Sequence, residues 1–111
     1  MKAKLQNKEK ESSPVKTMRA AERLLKKGDI SMAATYFWSA GNTFREIKEY
    51  ELSAKAYEKA AYCYELENHC EKAAEEYLSA SKMYERAGSS LKAKAMKTNA
   101  GKVNTPQKKE I

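Results

Sequence analysis

A chain of 111 residues, 33% of them charged and 41% apolar, has room for one small core, which excludes a large enzyme fold. Only 4 Gly and 2 Pro among plentiful Ala, Glu, Lys and Leu favour long helices and give few turn signals for strands. The formal net charge of +7 collects at the ends: residues 1–16 carry five Lys against two Glu, residues 91–111 six Lys against one Glu, and the middle, 17–90, sums to −1, which argues against a basic face on the folded part.

In chain order, residues 1–12 are charged with no apolar block behind them, so they are not a secretory leader and are expected to form a disordered basic tail. Hydropathy and turn signals then predict helices over 14–27, 30–46, 49–66, 69–87 and 90–100. Gly28-Asp29 offers a C′ glycine followed by a capping aspartate, and Asn68 and Gly88-Ser89-Ser90 serve the same purpose further along. The break at Ile47–Tyr50 is marked only by Lys48 and Glu49. Connections this short make successive helices antiparallel. Residues 102–111 are read as a second disordered basic tail, which leaves 13–101 as the helical-repeat domain. No stretch approaches the roughly 20 apolar residues of a membrane span, and a cytoplasmic location is expected.

A 20-residue repeat organises the helices. Ala34, Phe37, Ala40 and Phe44 recur as Ala54, Tyr57, Ala60 and Tyr64, and again as Ala74, Tyr77, Ala80 and Tyr84. Three further columns hold small residues: Ala20, Ala40, Ala60, Ala80, Ala100; Ala21, Gly41, Ala61, Ser81, Gly101; and Ser13, Ala33, Ser53, Ala73, Ala93. Offsets of 3, 3 and 4 place the Ala and aromatic members on one helix face, where small residues admit a neighbouring backbone and rings fill the gaps. The predicted fold is all-α, a short α-solenoid of about five antiparallel helices at about 20 residues each.

Catalytic and metal chemistry find little support. Cys63 and Cys70 are seven residues apart with His69 beside the second, and no second ligand pair follows, so two reduced thiols are expected. His69 is the only histidine, which removes most acid–base and nucleophilic schemes. No Gly-rich phosphate loop is present either. Neither an enzyme, a cofactor nor a small-molecule substrate is expected.

A binding role is the remaining reading. In an alternating stack, helices two and four share one layer, and one, three and five the other. Trp38 and Leu78 then fall in the same layer with Arg45 and Lys82 beside them, an apolar patch with a basic rim suited to a helical or extended protein segment. The other layer offers Lys55, Lys59 and Tyr62 as a second groove. Lysine-rich helix five, with Lys92, Lys94 and Lys97, serves as a polar cap. Helix one, with Val15, Met18, Leu24 and Leu25, has no obvious cover in the sequence, and a second copy or a partner is expected to dock there. The alternative partner is nucleic acid or an acidic membrane surface, held by the tails.

The run AATYFWSAGNTF from Ala33 to Phe44, echoed from Ala73 to Tyr84, resembles the helical repeats of soluble NSF attachment proteins, and the likeness covers about residues 14–100. It implies a tetratricopeptide-like solenoid that lays a concave, partly basic surface on a four-helix SNARE bundle and couples it to a disassembling AAA+ ATPase. Departures are that a full attachment protein is longer, that the C-terminal part engaging the ATPase has no counterpart here, and that the middle of this chain is not basic.

Overall fold

The computed structural model describes residues 13–104; the tail segments 1–12 and 105–111 lie outside the described residues. Five helices follow one another with no strand among them: α1 (Ser13–Lys27), α2 (Ile30–Glu46), α3 (Tyr50–Leu66), α4 (Cys70–Arg86) and α5 (Ser90–Val103). The expected spans are met closely. The one extension is α5, which continues past residue 100 because Val103 packs against the core of α3, α4 and α5.

The repeat is written in the turns as well as in the core. Gly28, Lys48, Asn68 and Gly88, spaced by 20, all have a positive φ (94, 64, 62 and 84°). At each, that residue's N–H donates to the carbonyl three residues back, and the next N–H to the carbonyl five back. The bonds run from Gly28 to Leu25 and Asp29 to Leu24, and so on to Gly88 and Ser89, all at 2.8–3.0 Å. This is the Schellman ending, which satisfies the last carbonyls of one helix. The residue after it begins the next helix: the carbonyls of Asp29, Glu49, His69 and Ser89 accept from Ala33, Ser53, Ala73 and Ala93.

That sharing corrects the expected side-chain caps. None of Asp29, Glu49, His69 and Ser89 makes a side-chain capping bond, since each has ψ of 70–75° rather than the extended value that turns a cap oxygen toward the first turn.

The aromatic and alanine stripe forms the core. Phe37, Phe44, Tyr57, Tyr77 and Tyr84 are buried and Tyr64 is half-buried. Successive clusters each draw on consecutive helices, so the core runs along the stack rather than around a centre. The small columns mark the closest approaches. The Ser53 hydroxyl donates to the Gly41 carbonyl at 2.8 Å, and Ser81 to the Ala93 carbonyl at 2.9 Å. The equivalent pairs, Ala21 with Ala33 and Ala61 with Ala73, are fully buried alanines.

Ion pairs fix the layers. Lys59 of α3 meets Glu22 of α1 at 2.6 Å, and Lys92 of α5 meets Glu51 of α3 at 3.1 Å, so α1, α3 and α5 share one layer as expected. On α1, Val15, Met18, Leu24 and Leu25 are half-buried against α2 and α3. Lys16, Arg19, Arg23, Lys26 and Lys27 take the exposed side instead. A segment sum near zero had concealed this basic helix, because the net negative charge that balances it is spread over α3, α4 and the connecting residues Asp29 and Glu67. Helix α5 seats Ala93, Met96 and Ala100 on the stack and leaves Lys92, Lys94 and Lys97 outside.

Candidate interaction surface

Besides a shallow recess of about 720 Å³ at the Gly28–Tyr36 end of α2, the stack carries one recess on each layer among the described residues. The first of this pair, about 340 Å³, is walled by Thr35 and Trp38 of α2 and by Lys72, Glu75 and Glu76 of α4, with Tyr64 of α3 between them. Trp38 and Leu78 are among the exposed large apolar side chains, at 43% and 45%. Such exposure on packed helices is what a partner's apolar side chains would cover.

The charge around Trp38 comes from other residues than the sequence suggested. Arg45 and Lys82 are exposed on α2 and α4 but do not line the recess, and neither does Leu78. Trp38 shares the recess with residues from the first turns of α4, Lys72, Glu75 and Glu76. The only cation lining the recess is Lys72, whose ammonium sits 5.4 Å from the centroid of the Tyr64 ring.

Glu76 is the residue that sequence reasoning missed. It is 9% exposed, and its Oε1 has no hydrogen-bond partner among the described residues. Burial, reinforced by neighbouring Glu75 and opposed by Lys72, pushes its carboxyl up to about 7. The available signal was its column, which reads Ala56, Glu76 and Met96 in successive repeats. Ala56 and Met96 are both buried, while Lys16 and Tyr36 at the same position in the first two helices are exposed, so the carboxyl is buried where the column turns from surface to core.

The second recess, about 290 Å³, gathers Lys55, Glu58, Lys59 and Tyr62 of α3 over Tyr77 of α4. It unites the three residues picked for the other layer. Its charges are largely engaged: Lys59 pairs with Glu22 and lies 5.9 Å from the Phe37 centroid, and Glu58 accepts the Tyr84 hydroxyl at 2.8 Å. Tyr62 remains 49% exposed. Of the two cysteines, Cys63 is buried, and burial, with Glu67 and Glu22 nearby, pushes its thiol up to about 11, so it stays protonated at neutral pH.

The solenoid and its 20-residue register can now be set beside known families. The family model described as soluble NSF attachment protein, SNAP, matches residues 6–109. The chain belongs to the SNAP family. Comparisons with curated proteins and with solved structures give no match. The SNAP match spans all five helices, including the turns at Lys48 and Asn68, and agrees with the likeness read from Ala33 to Phe44. No helix among the described residues is long and apolar enough to cross a membrane.

Proposed function

We propose that the chain is a non-catalytic interaction scaffold or adaptor that works in vesicle trafficking, in the cytoplasm, as the SNAP family suggests. Its partner is another protein, contacted through a helical or extended segment. The observation that carries this reading is the half-exposed pair Trp38 and Leu78, on helices α2 and α4 of one layer within a SNAP-family solenoid. Large apolar side chains held outward by a well-packed stack are the usual anchors of a protein contact. Arg45 and Lys82 flank that layer and supply exposed charge. The recess at Lys55, Lys59 and Tyr62 is a lesser contact on the opposite layer.

The test is affinity capture from membrane extracts with the tagged full chain, comparing the natural sequence with Trp38→Ala/Leu78→Ala. Capture of a helical trafficking protein, reduced at least about tenfold by the double substitution, is the expected result. Equal capture by both forms would place the contact elsewhere. A chain that retains no protein at all would end the adaptor reading.

A further inference from the structure

The carboxyl of Glu76 has a cost and no structural return. Its column is filled by Ala56 and Met96 in the neighbouring repeats, both packed in the core. A buried polar oxygen with no partner is destabilising, because its desolvation is not offset by a hydrogen bond. Across the groove from it stands Trp38, 43% exposed on α2. An outward indole on α2 and a buried carboxyl on α4 thus meet in one place. Both line the same recess of about 340 Å³.

The recess selects its occupant by chemistry. An anion would meet both Glu75 and Glu76. An apolar side chain would leave the Glu76 carboxyl without a partner. A metal ion would need more ligands than two carboxylates, and no cluster of three or more ligating residues occurs among the described residues. Lys72 lies over Tyr64, its i+4 spacing notwithstanding, and forms no ion pair with Glu76 among the described residues. A basic side chain from outside meets the Trp38 face and the two carboxylates, while Lys72 is held over the Tyr64 ring.

We propose that the groove between α2 and α4 is a subsite for one lysine or arginine side chain of the partner protein, its alkyl stem against the Trp38 indole and its charged head on the Glu76 carboxylate. Aromatic faces attract such cations, and a charge-assisted bond in a half-dry recess is stronger than one in water. The subsite rests on the adaptor reading and adds to it the sign of the partner's charge. Ionisation of Glu76 follows pH through 7, so the groove holds a cation more tightly on the alkaline side. The groups facing Glu76 are Tyr57 and Tyr64 from α3 and Lys72 and Glu75 from α4, while α2 contributes only Thr35 and Trp38, which do not titrate.

Trp38 is the only tryptophan, so its emission reports this groove directly. The experiment titrates the full chain with the capped pentapeptide Ala-Ala-Arg-Ala-Ala and with its neutral citrulline counterpart. The arginine peptide is expected to change Trp38 emission saturably and to bind at least about tenfold better than the citrulline peptide at pH 8, with that advantage falling about tenfold by pH 6. Glu76→Met, which installs the residue of the next repeat, and Glu76→Gln are both expected to keep the helical circular-dichroism spectrum and to lose the discrimination. His69→Gln is expected to leave the pH response unchanged, since His69 packs edge-on against Tyr64 and faces Glu67, outside the lining of the recess. Equal binding of the two peptides, the absence of a saturable change, or discrimination that survives in both Glu76 variants overturns the subsite. If partner capture persists while the peptides are not distinguished, the subsite fails and the adaptor reading stands. Discrimination without any captured partner supports the subsite and overturns the adaptor.

Discussion

The Ser53 hydroxyl reaches across from α3 to the Gly41 carbonyl of α2, 2.8 Å away in a fully buried contact. A side chain this short meets a facing backbone only where two helices nearly touch, and Ser81 repeats the contact in reverse with Ala93. Helix-to-helix register is therefore held by direct side-chain-to-backbone bonds at two of the four junctions. Ser53→Ala and Ser81→Ala are each expected to cost about 1 kcal/mol, as loss of one hydrogen bond without a cavity. They belong to different helix pairs, so urea unfolding of the double variant is expected to show the sum.

Gly41 and Gly101 share a column and predict opposite outcomes. A Cβ on Gly41 would come within 2.8 Å of the buried Tyr57 ring, whereas Gly101 has nothing within 4 Å. Tyr57 cannot retreat, since it is 1% exposed and its hydroxyl donates to Asn42. Gly41→Ala is expected to destabilise by about 1–2 kcal/mol, overpacking outweighing the gain in helix propensity. Gly101→Ala is expected to stabilise by up to about 1 kcal/mol. Thermal melts of the two single variants check the signs.

Lys48 carries the positive φ that glycine supplies at positions 28 and 88. Lys48→Gly is expected to raise stability by about 1 kcal/mol, because a non-glycine residue in the left-handed region costs that order of energy. Gly28→Ala and Gly88→Ala are expected to lower it by a similar amount, even though neither added methyl meets another atom. A loss caused by crowding would need neighbours that these sites do not have, so chemical denaturation separates conformational strain from packing.

Stability should fall as pH rises from the ordinary carboxylate range to about 7 on account of Glu76. Its folded value lies above its unfolded one, so the folded state holds the extra proton in that window and loses its advantage as the proton leaves. Below the window Glu76 is protonated in both states and imposes no such loss. Glu76→Met is expected to flatten this limb and raise stability near pH 8 by about 1–3 kcal/mol. A denaturation midpoint measured from pH 4 to pH 8 in both forms decides it; an unchanged slope would remove Glu76 as the cause.

The repeat made the helices legible because burial in a stack recurs at fixed spacing. Ala34, Phe37, Ala40 and Phe44 announced their face through offsets alone, and every predicted helix is present. The turn at Lys48 was harder to see because lysine gives no sign of a left-handed backbone; only its distance of 20 from Gly28 and Asn68 does. Asp29 and Ser89 misled in the other direction. Their side chains suit caps, but the two-residue link commits their backbone to two helices at once and sets a ψ that keeps both side chains from capping, and the Ser89 hydroxyl donates to Glu51 instead.

The sequence by itself determined the helix count, the stripe each helix buries and the small residues at the junctions, since these are local periodicities that burial imposes on every repeat. The tertiary structure alone decided what stands between helices distant in the chain. It turned the apolar residues of α1 inward and its cations outward, paired Glu22 with Lys59, and set Trp38 beside Glu76 rather than beside Leu78. The physical reason is that packing between same-layer helices is non-local. Two positions 40 residues apart share a layer by register, but three-dimensional packing chooses which side chains meet across the groove, and no periodicity in the sequence encodes that choice.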